Sequence, residues 1–202
     1  MPTLAIVRHG QSLWNLENRF TGWVDVPLTL KGEAEARRAG ERLSGRSFDV
    51  AYTSALTRAQ ETLRIMLDTM GDVVPIIRDP ALNERHYGDL QGLNKQRTAE
   101  EYGEDQVRIW RRSFSTPPPN GEALENTAAR TLPFFDRAIL GDIAQGKDVL
   151  VVAHGNSNRS IVMQLDELSE DEVLALELGT GVPLLYDLAE DGTVRGKEIL
   201  DD

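Results

Sequence analysis

No cysteine occurs in the 202 residues, and histidine is nearly as scarce, with only three. The first absence excludes disulfides, thiolate metal ligands and a thiol nucleophile, so covalent catalysis would have to run through another atom. No apolar run approaches the roughly 18 residues that a membrane-spanning helix needs, and the N-terminus lacks the basic-then-apolar pattern of a signal peptide. The simplest reading is a soluble chain in the cytoplasm. Positive charge is also short: 22 Lys and Arg stand against 33 Asp and Glu, a formal net charge of −11. That balance argues against nucleic acid or an anionic membrane as a partner, because either would favour a basic face.

What is present fits an enzyme-sized globular chain. A length of 202 residues with 40% hydrophobic content is enough for one full core, and a single domain over 1–202 is the expectation. The few cations are unevenly placed. Arg8, Arg58, Arg85, Lys95, Arg111 and Arg112 lie in or beside motif-like stretches, whereas acids crowd the helix-like segments and the C-terminal third. A basic pocket in an acidic shell suits a small polyanion. Apolar strand-like runs occur at 3–7, 48–52, 73–77, 149–153 and 184–186. Most are continuous rather than alternating, as expected of strands buried on both faces. Segments 30–44 and 55–70 between them carry helical periodicity, Leu30, Ala34 and Leu43 in one and Leu56, Ala59, Leu63 and Met66 in the other, so the fold class is α/β. Capping-box patterns at Thr98–Glu101 and Ser169–Glu172 predict two further helix starts. Pro117–Gly121 reads as a rigid turn between a helix ending near Arg112 and one starting near Ala123.

Two of the three histidines share one context. Arg8-His9-Gly10 follows the run Leu4–Val7, and His154-Gly155-Asn156-Ser157 follows Val149–Ala153. In open α/β sheets ligands bind beyond the carboxyl ends of strands, so two strand-His-Gly units on neighbouring parallel strands would put two imidazoles at one sheet edge. Polar residues 156–159 ahead of an apolar helix pattern would aim free backbone N–H groups at a bound anion. Arg58, about one turn into the second predicted helix, can fork onto phosphate oxygens. Phosphoryl transfer needs an in-line nucleophile, cationic donors around the equatorial oxygens, and a proton source for the leaving oxygen. His9, the clamp Arg8, Arg58 and His154, and the carboxyl of Glu84 supply candidates for each. Metal ligation by His9, His86 and His154 is disfavoured, because no His-x-x-His spacing exists and the arginines and anion-type turns would repel a cation.

Longer stretches carry a resemblance over nearly the whole chain. Residues 8–15 (RHGQSLWN), 20–23 (FTGW), 82–88 (LNERHYG), 92–95 (GLNK), 110–112 (WRR) and 154–157 (HGNS) resemble the signatures of cofactor-dependent phosphoglycerate mutases, within the histidine phosphatase superfamily, in a short form. The resemblance implies a three-layer α/β/α sandwich with a mostly parallel central sheet. It also implies a phosphorylated His9, Glu84 as general acid and base, and His154 stabilising the transition state. Asn15, Thr21, Gly22, Arg58, Tyr87, Lys95, Arg111, Arg112 and Asn156 would hold the substrate's phosphate and carboxylate, with Arg8, Gly10, Ser12, Glu84, Arg85 and Gly155 beside them. The implied reaction is interconversion of 2- and 3-phosphoglycerate, primed by 2,3-bisphosphoglycerate and using no metal. Small phosphoglycerates are then the partners, and a homo-oligomer is left open. The chain departs from that pattern at Gln11, Asn158 and Gly179, where Glu, Leu and Pro are usual. The 117–121 loop is shorter than in longer members and the chain ends at Asp202 without their tail, which predicts a less covered site and some phosphatase leakage. A broad histidine phosphatase and a non-catalytic binding module are the alternatives. Lys95, Arg111 and Arg112 speak against the first and the intact His9, Arg58, Glu84 and His154 against the second.

Overall fold

The computed structural model describes residues 1–201. Six strands form one sheet in the order β3-β2-β4-β1-β5-β6: β1 (Thr3–Arg8), β2 (Val50–Thr53), β3 (Ile76–Arg78), β4 (Val149–Ala153), β5 (Pro183–Leu188) and β6 (Val194–Ile199). The pairs β1–β4, β4–β2 and β2–β3 are parallel, while β5 and β6 close one side antiparallel. The mostly parallel α/β sheet is therefore as expected.

The continuous apolar runs have the cause inferred for them. Along β1, Leu4 and Ile6 face one cluster with Phe134, Phe135, Ile139, Ile143 and Ile161. Ala5 and Val7 face the opposite cluster with Ala36, Ala39, Leu43, Leu63 and Met66. Period-two alternation thus places apolar groups on both faces, and each buried Leu or Ile contributes about 1.5–3 kcal/mol. One layer holds α2 (Leu30–Arg42) and α3 (Thr57–Met70). The other holds α6 (Leu124–Phe134) with the π-helical turn Phe135–Ile139 and α7 (Leu140–Ile143) that continue it, and α8 (Gly155–Leu165). The remaining helices are α1 (Leu13–Leu16), α4 (Lys95–Tyr102), α5 (Glu104–Arg112) and α9 (Glu170–Ala175). No helix among the described residues is long and apolar enough to cross a membrane.

Three local expectations need revision, and one strand was not foreseen. The run 73–77 is not a buried strand: only Ile76–Arg78 is extended, all three residues are exposed, and Val73 is 96% exposed. This edge strand pairs with β2 alone, so its apolar residues gain little burial. Strand β6 escaped notice because its charged, alternating sequence around Gly196 lies exposed at the other edge. Thr98 does not start a helix; it lies inside α4, whose cap is Asn94, with Oδ1 accepting from Gln96 N and Arg97 N. Leu30 is solvent-facing, and α2 turns Gly32, Ala36, Ala39 and Gly40 inward instead. The Ser169 capping box and the turn between α5 and α6 are as read.

Candidate active site

Because β1 and β4 are parallel neighbours in register Arg8↔Ala153, their following residues meet at one edge. His9 N donates to Ala153 O at 2.9 Å, and the rings of His9 and His154 stand 4.9 Å apart, centre to centre, at 62°. Both are buried. His9 Nδ1 lies 2.7 Å from Gly10 O. A carbonyl can only accept, so the proton is fixed on Nδ1 and the lone pair on Nε2. Arg58 Nε donates to that Nε2 at 3.3 Å, while its two terminal nitrogens donate to Gly22 O and Val24 O at 2.8 and 3.1 Å. Burial, then the charges of Arg58 and Arg8, hold His9 well below its usual pKa of 6.5, outweighing the Gly10 hydrogen bond. Burial and the charges around it, Arg58 foremost, do the same for His154. Both rings are neutral near pH 7.

Backbone proximity explains the glycines here. A Cβ on Gly10 would sit 2.2 Å from Gly32 O, so the loop after His9 and the first turn of α2 touch main chain to main chain. Gly22 takes φ +55, presenting its carbonyl to Arg58. Asp25 accepts from Thr57 N and Oγ1, capping α3 from a distant loop where Leu56 offers no side-chain cap.

Glu84 reaches the site from the loop after the short turn Pro80–Leu82. Its Oε1 accepts from Arg85 N at 2.8 Å, Asn156 N at 3.1 Å and Asn156 Nδ2 at 3.0 Å. The N–H of Asn156, expected to face an external anion, is thus already taken by a carboxylate of the chain itself. That is the same physics with an internal ligand. Ser54 Oγ meets His154 Nε2 at 2.7 Å. Two buried nitrogens, Arg8 Nε and His154 Nδ1, have no hydrogen-bond partner among the described residues.

The cleft is lined by Arg8, His9, Asn15, Arg19, Thr21, Gly22, Arg58, Glu84, Tyr87, Lys95, Arg111, Arg112, Gly155, Asn156, Arg159 and Glu177. Seven of these are cationic and two are carboxylates. Crowding shows in the pKa values. Lys95 is lowered to about 8 by burial and by Arg111, Arg8 and Arg112 against the pull of Glu84, and Arg58 to about 10, chiefly by burial. Four candidates do not line the cleft. Arg85 points the other way, its buried guanidinium bonded to the carbonyls of Glu122, Arg111 and Trp110. Ser12 caps α1 by accepting from Asn15 N, and Gly10 lies beneath against Gly32. His154 stands behind His9. Arg19, Arg159 and Glu177 were missed. Arg159 is one helical turn from Asn156 and donates to its Oδ1 at 3.3 Å, a spacing of three that could have flagged it. Glu177 pairs with Arg112 at 3.2 Å and Arg159 at 3.7 Å. Among the described residues no group of His, Asp and Glu is arranged to hold a metal ion.

A family profile described as histidine phosphatase superfamily (branch 1) matches residues 4–194. The chain belongs to the histidine phosphatase superfamily. Its curated relatives include a 2,3-bisphosphoglycerate-dependent phosphoglycerate mutase of Parvibaculum lavamentivorans, 55% identical over 99% of this chain and 97% of that protein. Another, from Rhizobium rhizogenes, carries the same name and is 54% identical over 99% and 96%. Solved structures of the same superfamily fold include Bacillus stearothermophilus YhfR, with TM-score 0.85, 28% identity and coverage of 96% and 95%. A mycobacterial glucosyl-3-phosphoglycerate phosphatase superposes with TM-score 0.82 at 26% identity, covering 98% and 97%.

Proposed function

We propose that this superfamily member interconverts 2- and 3-phosphoglycerate through a phosphoryl group carried on His9 Nε2. The observation that carries the reading is a buried neutral imidazole whose tautomer is set by Gly10 O, opening onto a cleft with seven cations. Nearly full-length relatives at 54–55% identity bear the name of that enzyme. 2,3-Bisphosphoglycerate supplies the phosphoryl group that primes His9. The residues fit it: Arg8 and Arg58 line the cleft beside His9 and can surround one phosphate, the unpartnered Arg8 Nε among their donors, and Lys95, Arg111 and Arg112 line the same cleft for a carboxylate or second phosphate.

In the transfer, Nε2 forms a bond to phosphorus as the ester P–O bond breaks, and Glu84 gives its proton to the departing oxygen. In the return half, Glu84 takes the proton of the acceptor hydroxyl as that oxygen attacks the phosphohistidine. Guanidiniums fixed before reaction stabilise charge spread over the equatorial oxygens without reorganising. The Asn156 amide and side chain keep Glu84 Oε1 in place, leaving Oε2, which lies above Gly155, for the proton. The reading uses no metal. A coupled assay of 3- to 2-phosphoglycerate, with and without added 2,3-bisphosphoglycerate and with a chelator, tests it. His9→Ala abolishes turnover; retained activity or dependence on a divalent ion overturns the mechanism.

A further inference from the structure

The carboxylate given the proton-transfer role sits on an irregular stretch, and one side chain outside the cleft grips that stretch. Arg130, on α6, points its guanidinium at residues 80–84. NH1 donates to the carbonyls of Pro80 (3.3 Å), Ala81 (3.0 Å) and Asn83 (3.2 Å). NH2 donates to those of Asn83 (3.2 Å) and Glu84 itself (2.8 Å). Nε and NH2 also pair with the two oxygens of Glu122 at 2.9 Å each. The guanidinium lies 5.4 Å from the centre of the Trp23 ring, and Trp23 Nε1 donates to the same Glu84 carbonyl at 2.5 Å.

Glu122 extends the grip to the far side. Its Oε2 accepts from His86 N at 2.9 Å, so the Arg130–Glu122 pair holds the main chain both before and after Glu84. Burial pushes the Glu122 carboxyl up, but the hydrogen bonds and charge of Arg130, with the His86 and Thr127 bonds, hold it below the usual carboxylate range. The pair is ionic at neutral pH. Both side chains are about four-fifths buried, which protects these bonds from screening. A loop with few backbone partners of its own is thereby tied to a helix of the scaffold.

We propose that Arg130 is a positioning residue for the reaction: it fixes the Glu84 main chain so that the carboxylate stays within reach of the leaving oxygen. Only a planar fork can serve four carbonyls and a carboxylate at once, so lysine is not equivalent there. The proposal rests on Glu84 as the proton donor, and the test separates the two. An alkoxide leaving group such as that of 2,3-bisphosphoglycerate needs a proton, whereas the phenolate of p-nitrophenyl phosphate departs without one. His9, Arg8 and Arg58 serve both donors alike.

The measurement is the rate of His9 phosphorylation, by rapid quench, from each donor in wild type, Glu84→Gln and Arg130→Lys. Loss of a general acid costs roughly 10²–10⁴-fold, so Glu84→Gln falls by about that much with 2,3-bisphosphoglycerate and little with p-nitrophenyl phosphate. Arg130→Lys shows the same selectivity, a fall of about tenfold or more with the first donor, with KM close to wild type. Equal losses on both donors, or none, overturn the role of Arg130. A selective loss in Glu84→Gln alone does so too while leaving Glu84 standing. If Glu84→Gln shows no selectivity, the proton-donor reading fails and takes the proposal with it. Should Arg130→Lys not fold, Glu122→Gln carries the same expected selectivity at smaller size, and its absence is equally decisive.

Discussion

Burying two neutral imidazoles beside two arginines makes the protein's stability depend on pH in a window that the structure specifies. The pKa values of His9 and His154 are lowered well below 6.5 in the folded state, whereas the unfolded chain takes up protons near 6.5. Below that pH the unfolded state binds more protons than the native one, so acid favours unfolding. The stabilisation is complete above about pH 6.5 and drains away as pH falls toward the folded-state values. Between pH 7.5 and 5.5 each imidazole that stays neutral in the folded state costs on the order of 1 kcal/mol, and the pair about twice that. Urea unfolding at pH 7.5, 6.5 and 5.5 measures this. Buffers must be free of phosphate, since an anion bound only by the native state would add its own stabilisation. The interval stays clear of the region where the depressed carboxyls of Glu122 and Asp142 become protonated. His9→Gln removes about half of the dependence and His9→Gln/His154→Gln nearly all of it. A stability flat between pH 7.5 and 5.5, or a wild-type slope surviving in the double variant, refutes the reasoning.

Lys95, at about 8, loses its charge in the free enzyme as pH rises, so kcat/KM for 3-phosphoglycerate falls from about pH 8 upward; Lys95→Arg removes that basic limb, and a limb unchanged in the variant contradicts the assignment. Asn158 is fully buried and donates to Val7 O, but its Oδ1 has no partner among the described residues. Leu has nearly the same branched shape, so Asn158→Leu stabilises by about 1–2 kcal/mol as the orphaned oxygen is removed; a lowered melting temperature refutes this. Glu177 competes with anionic substrate for Arg112 and Arg159. Its pair with Arg112 is exposed and worth up to about 1 kcal/mol, so Glu177→Gln lowers KM by up to about fivefold; a raised KM would count against it. A short 117–121 turn that left the proposed phosphohistidine less covered would let water compete for it, so incubation with 2,3-bisphosphoglycerate is expected to release inorganic phosphate slowly; mutase turnover with no phosphate release contradicts that.

The pairing of His9 with His154 was legible because each half of the pattern is local: an apolar run, a histidine, a glycine. The parallel sheet followed from runs too uniformly apolar for one-sided burial. What failed was direction. Arg85 lies in the same motif as Glu84 and Tyr87, yet its guanidinium serves the interior, bonded to the carbonyls of Glu122 and Trp110 on segments far away in sequence. The Thr98-x-x-Glu101 spacing also occurs freely within helices, where Thr98 Oγ1 simply bonds back to Asn94 O. Arg130 carried no signal, because its importance depends on where α6 lies relative to a loop some 46 residues earlier. Strand β6 gave none either, since an exposed edge needs no apolar run.

The adjacency of β1 and β4 also bears on how the chain comes into being. Arg8 leaves the ribosome long before Val149, on the neighbouring strand, and at roughly 5–20 residues per second the 140 intervening residues take about 7–28 s to synthesise. During that interval the first strand has neither of its sheet partners, because β5 comes later still. A nascent or truncated chain ending before β4 therefore has no half-built version of the catalytic edge, and its most apolar strand stays exposed to chaperones or to misassociation. Catalytic competence arrives late and all at once, set by sequence separation rather than by any loop.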